Sequence, residues 1–136
     1  MPDNVIVNKS ASLERCLNRI KEEYSGKENQ FRTNFTVQDS ILLNLQRARE
    51  LCVDLANYEI KRRKLGVPQS SRDSFDLLEQ AGLLETELAA KLKRMIGFRN
   101  LAVHNYESLN LDVVESILNG NLNDFLLFKS VILRQA

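Results

Sequence analysis

From Thr36 to Leu65 the chain runs without a glycine or a proline, and its apolar residues return every three or four positions: Ile41, Leu42, Leu45, Ala48, Cys52, Leu55 and Tyr58. That spacing lays one apolar stripe along a helix of many turns, and such a stripe has to be covered by other apolar faces. A strand cannot carry it, because strand faces alternate with a period of two. A long helix of this kind demands helical neighbours, and the rest of the chain supplies them.

Only Pro2 and Pro68 occur as prolines, and the glycines fall mostly between apolar runs, which is how helices are punctuated. A first helix is predicted from about Ser12 to Tyr24, with Leu13, Leu17, Ile20 and Tyr24 inward and Ser25-Gly26 as its stop; a polar link, Lys27 to Asn34, follows. The long helix ends in Lys61-Arg62-Arg63-Lys64, where cations suit the negative helix end, and Gly66-Val67-Pro68 halts it. After the loop Ser70 to Ser74, the residues Phe75, Leu78 and Leu83 or Leu84 mark a short third helix broken near Gly82. The fourth spans about Glu85 to Leu101, with Leu88, Leu92, Met95 and Ile96 inward and Lys91, Lys93 and Arg94 on its other faces. Asn110 caps a fifth through Leu118, and Asn119-Gly120 ends it. The last segment, Leu122 to Leu133, has seven apolar residues in the nine from Phe125 to Leu133. It needs cover on nearly every side, from this chain's core or from a second copy of it. The fold expected is all-α, an up-and-down bundle of five or six helices, with residues 1–136 as a single domain.

Nineteen Lys and Arg stand against eighteen Asp and Glu, a net charge of +1, so a polyanion would have to be met by a local patch rather than by bulk charge. No apolar stretch approaches the roughly 18 residues that cross a bilayer, and Met1 to Lys9 lacks a basic region followed by an apolar one. A cytoplasmic protein away from membranes is expected. Cys16 and Cys52 fall on apolar stripes, where a free thiol packs as a small hydrophobe. With one histidine and neither CxxC nor HExxH, a single chain cannot assemble a zinc site, so any chemistry is expected to need neither metal nor cofactor.

Chemistry-bearing residues concentrate in Gly97-Phe98-Arg99-Asn100-Leu101-Ala102-Val103-His104-Asn105-Tyr106. Residues five apart are turned by about 140° around an ideal helix, so Arg99 and His104 meet only if the helix ends between them or two chains contribute. An arginine offers a permanent charge and a planar donor fork to phosphate oxygens, and an imidazole takes or gives a proton near neutral pH. RNA needs little more, because its 2′-hydroxyl is already the nucleophile. The same residues also suit a helix end with no catalytic duty, with the arginine facing the dipole and the histidine capping or lying on the surface.

Arg99, His104 and Tyr106 read as R-x4-H-x-Y, which resembles the signature of the HEPN superfamily and, more narrowly, the HepT toxins of HepT/MntA toxin–antitoxin modules. The likeness extends to Asp39-Ser40-Ile41, to Leu45-Gln46-Arg47-Ala48-Arg49-Glu50-Leu51 and to Ala81-Gly82-Leu83-Leu84, and runs from Val37 to about Leu118. The resemblance implies a dimeric, metal-independent endoribonuclease, the toxin of a type VII system, with both subunits' Arg and His facing one cleft. It assigns Arg99 to phosphate and transition-state binding, His104 to proton transfer and Asn100 to orienting the site. It makes Tyr106 the residue on which an MntA-like nucleotidyltransferase antitoxin places AMP; a ring packed under the motif is the plainer role for Tyr106. Two basic groups, Lys61 to Lys64 and Lys91, Lys93 and Arg94, either line an RNA path or are ordinary solvated faces. The competing expectation is a catalytically silent HEPN helical subunit serving a nucleotidyltransferase. A helix-turn-helix DNA binder is disfavoured, because no helix presents base-reading polar residues.

Overall fold

A computed structural model describes residues 3–97 and 111–135 of the chain. Six α-helices form among them: α1 (Asn4–Tyr24), α2 (Phe35–Arg63), α3 (Ser71–Gln80), α4 (Thr86–Ile96), α5 (Leu111–Gly120) and α6 (Leu122–Gln135), with a 3₁₀ turn at Glu28–Gln30. The all-α bundle expected from periodicity is what the described residues show.

The long helix arises where its stripe placed it. Asn34 caps it by accepting from the Val37 amide at 3.2 Å, and Ile41, Ala48, Cys52, Leu55 and Ile60 are buried along it. It ends one residue before Lys64, which adopts the left-handed conformation (φ 57°) and returns its amide to the carbonyls of Ile60 and Lys61. α1 lies along α2 and forms its most extensive partner, while α6 packs on α1, α2, α4 and α5. Phe75 of α3 and Phe128 of α6 meet edge to face at 5.5 Å between ring centres, both fully buried. Each such ring removes enough apolar surface from water to contribute about 1.5–3 kcal/mol.

Two expectations change and a third narrows. α1 begins at Asn4, not near Ser12: Asp3 caps it by accepting from the Val5 amide at 2.8 Å, and Ile6 and Ser10 continue the buried stripe backward from Leu13. The β-branched run Val5-Ile6-Val7 and a serine in an apolar slot hid this turn from a periodicity count. The polar link also has an anchor, since Phe31 is fully buried and meets Tyr24 edge-on at 6.0 Å. Finally, this chain's own core covers α6 on one side: Phe125, Phe128 and Ile132 are buried, whereas Leu127 and Leu133 are exposed on the side where a second copy would have to supply the cover. Cys52 is buried and its thiol is pushed up by burial, and Cys16 is half-buried, as small hydrophobes.

The expected third and fifth helices agree within a few residues, and Gly82 (φ 78°) ends the turn after α3 as expected. α4 stops its described course at Ile96, with Gly97 as its cap, and the predicted extension to Leu101 and the Asn110 cap lie outside the described residues. Among the described residues no helix is long and apolar enough to cross a membrane.

Candidate functional site

Arg99, Asn100, His104 and Tyr106 lie outside the described residues; the structure describes the platform on either side of them. On the leading side, α4 buries Ala89, Leu92, Met95 and Ile96, which turns its charged residues toward α3 and solvent. Lys93 reaches α3, with its ammonium 2.6 Å from Asp76 and 4.0 Å from Glu79. From α2, the guanidinium of Arg49 donates to the Ile96 carbonyl at 3.5 Å. That carbonyl belongs to the last turn of α4, where unpaired carbonyls and the negative dipole end attract cations. The helix that runs into the motif is thus held by the core, by an ion pair from α3 and by an arginine from α2.

On the trailing side, α5 is tied back to the α1–α2 connection. Arg32 pairs with Asp112 and, at 2.5 Å, with Glu115, and its guanidinium pKa is raised by the Asp112 contact first and the Glu115 contact second. Tyr24 donates its hydroxyl to Asn119 at 3.1 Å, and burial pushes its phenol up. Between α4 and α5 runs a groove of about 420 Å³, with Lys91 and Arg94 on one wall and Asp112, Ser116 and Asn121 on the other. A larger hollow of about 580 Å³ lies between α1 and α2, lined by Arg15, Arg19, Arg47, Asn44, Glu50 and Asp54 among others. Its charges are mixed, and Arg47 stands about 200° around α2 from Arg49, so it faces away from the end of α4.

The two basic groups singled out in the sequence separate sharply. At the end of α2, Arg62 and Arg63 both donate to Glu59, a carboxylate with 0% exposure, and both reach the Gln135 carbonyl of α6. They neutralise a buried acid and join two helix ends, a duty that the run Lys61 to Lys64 did not reveal because Glu59 reads as one more surface residue of a charged helix. In α4, Lys93 is paired with α3 and Lys91 with Glu87 at 3.4 Å, while Arg94 is exposed and makes no ion pair among the described residues. Sequence reasoning did not single out Arg49 or Arg72, whose places near the end of α4 depend on where α2 and α3 set them. No group of three His, Cys, Asp or Glu side chains is placed to hold a metal ion among the described residues.

The described bundle has the fold of solved HEPN toxin structures. Two solved structures match it over nearly the whole chain. The tri-AMPylated Shewanella oneidensis HEPN toxin in complex with MNT antitoxin superposes with a TM-score of 0.89 at 48% identity, covering 96% of this chain and 97% of that one. A toxin–antitoxin structure with AMP-PNP superposes with a TM-score of 0.91 at 47% identity, covering 96% and 98%. In sequence, the mRNA nuclease HepT of Shewanella oneidensis is 48% identical over 130 residues, 96% of this chain and 97% of that protein. The family profile described as Ribonuclease HepT-like matches residues 13–132. The chain belongs to the HepT-like ribonuclease family.

Proposed function

We propose that this protein is the toxin of a toxin–antitoxin pair and cleaves RNA without a metal, through Arg99 and His104. The observation that carries this is Arg99-x4-His104-x-Tyr106 following directly on the anchored end of α4, in a chain that shares 48% identity with an mRNA nuclease over 130 residues. His104 takes the proton of a 2′-hydroxyl, the freed oxygen attacks the adjacent phosphorus, and the bond to the 5′-oxygen breaks. The leaving oxygen takes a proton, and a 2′,3′-cyclic phosphate and a 5′-hydroxyl result. Arg99 stabilises the charge that builds on the phosphoryl oxygens, and Asn100 orients the pair by hydrogen bonding. Two proton transfers on opposite sides of one phosphorus suit a homodimer, in which a twofold axis brings a second imidazole to the cleft.

Tyr106 is the site where an MntA-like nucleotidyltransferase antitoxin attaches AMP. The tri-AMPylated state of the Shewanella oneidensis toxin and its complex with MNT antitoxin support this. A nucleotide on a phenol two residues from His104 presents a phosphate that competes for Arg99 and blocks the RNA path. A cytoplasmic location follows from such a substrate and partner.

Purified protein incubated with RNA in excess chelator should cleave it, and Arg99→Ala and His104→Ala should each abolish cleavage without loss of helicity. Intact mass after coexpression with the nucleotidyltransferase should rise by whole AMP units, and Tyr106→Phe should prevent the gain. Full cleavage by both alanine variants would refute the assignment; a folded wild-type protein that leaves RNA intact would return it to a silent helical subunit.

A further inference from the structure

The last turn of α4 is approached from α3 by a second guanidinium that no ion pair explains. A Cβ placed on Gly97 would sit 3.2 Å from the Arg94 carbonyl and 3.9 Å from Nη1 of Arg72. Arg72 therefore lies beside the end of the helix that leads to Arg99. Three residues of chain span at most about 11 Å, and Arg99 stands three residues after Ile96 in the sequence.

The backbone beneath Arg72 is firmly set. Ser70 caps α3 by accepting from the Asp73 amide at 3.1 Å, Asp73 accepts from the Gln69 amide at 2.9 Å, and the buried Ser74 donates to Asn57 of α2 at 2.5 Å. The side chain itself is exposed and makes neither hydrogen bond nor ion pair among the described residues, so its five-donor fork is unspent. A cation in the first turn of a helix also stands against the dipole of its own helix. The neighbouring cations Lys91 and Lys93 are each matched by a carboxylate, whereas Arg72 has no carboxylate partner among the described residues. A rigid base, a full set of unused donors and an opposing dipole suit Arg72 to a phosphate of a nucleic-acid backbone.

We propose that Arg72 forms a subsite that binds an RNA backbone phosphate next to the one cleaved. The proposal rests on the ribonuclease assignment above. It adds substrate affinity rather than chemistry, and it places the incoming strand across the α3–α4 edge.

Binding of a single-stranded RNA oligomer should be measured by titration on His104→Ala protein, with and without Arg72→Gln, over a range of salt. Arg72→Gln should weaken binding about tenfold and lower the slope of log affinity against log salt by about 0.7. Arg72→Lys should retain most of the affinity. In cleaving protein, Arg72→Gln should raise KM and leave kcat within about twofold. Arg15→Gln, which removes the same charge on α1, should change neither quantity. Unchanged affinity and salt slope in Arg72→Gln, or an equal loss in Arg15→Gln, overturns the subsite. If His104→Ala still cleaves RNA, the catalytic roles fall and the subsite falls with them. If His104→Ala is inactive while Arg72→Gln binds and cleaves as wild type, the subsite alone falls.

Discussion

The C-terminal end of α2 and the edge where α3 meets the end of α4 carry the same residue type in opposite states. At the first, Arg62 and Arg63 are committed to the buried carboxylate of Glu59 and to the Gln135 carbonyl. Tyr58, one residue earlier, donates to Asp3 at 2.5 Å and so fastens the start of α1 to the same place. At the second, Arg72 is exposed and makes neither ion pair nor hydrogen bond among the described residues. Arginines around a buried acid hold a fold together, because leaving that acid without partners is costly. Arginines without carboxylates leave their donors for a ligand. The denser basic run in the sequence is the structural one, and the isolated arginine of α3 is the one poised for RNA.

The largest effect expected lies at neither region. Arg99→Ala or His104→Ala should lower the RNA cleavage rate by about 10²-fold to 10⁴-fold with no change in melting temperature, as read by a fluorogenic RNA assay beside thermal unfolding. Next, Glu59→Gln should destabilise the protein by about 1–3 kcal/mol, the lower part of that range reflecting arginines that are partly exposed and able to turn to solvent. Its melting temperature should fall by several degrees, while cleavage per folded molecule stays at the wild-type level. If Glu59→Gln lost RNA binding instead, the contrast between the two regions would fail.

A matched pair of charge removals sharpens the contrast. Arg62→Gln with Arg63→Gln and Arg72→Gln with Arg94→Gln change net charge equally. The first pair should lower the unfolding midpoint in urea and leave RNA affinity nearly intact; the second should weaken RNA binding by tenfold or more and move stability by less than about 0.5 kcal/mol.

The smallest effect should appear at Tyr58. Its hydrogen bond holds the Asp3 carboxyl below the usual carboxylate range, and the same bond raises its own phenol. For Asp3 the folded-state pKa is the lower one, so its contribution is present above the unfolded value near 3.9 and is lost as pH falls through it toward the folded value. For Tyr58 the folded-state pKa is the higher one, so its contribution is complete below about pH 10 and is lost as pH rises through the folded value. Tyr58→Phe should lower stability only slightly at neutral pH and should flatten both limbs of a stability-against-pH curve measured by urea unfolding.

The bundle was legible because its signal is local. Leu13, Leu17 and Ile20, or Leu92, Met95 and Ile96, declare a buried face by spacing alone, and all six are buried. Asn34 and Gly82 mark element ends because caps and left-handed turns select residue types within a few positions. The start of α1 was not legible, since Ser10 occupies an apolar slot and Asp3 acts through a phenol 55 residues away. In the motif, chemistry could be read from the residue types Arg99, His104 and Tyr106, whereas Arg49 and Arg72 gave no sign of belonging near it. Arg49 meets Ile96 across 47 residues, and Arg72 comes to Gly97 from a different helix.

By itself the sequence determined the helical class, the order and approximate limits of most helices and the family likeness, and it singled out Arg99 and His104 as the candidates for chemistry on RNA. Those depend on periodicity, capping and short motifs, which are properties of neighbouring residues. Which cations are bound to the fold and which are left for a ligand was decided only by tertiary structure. An arginine's availability depends on whether a carboxylate from another turn or another helix lies within a few ångströms of it. At Glu59 one does, and at Arg72 none does among the described residues.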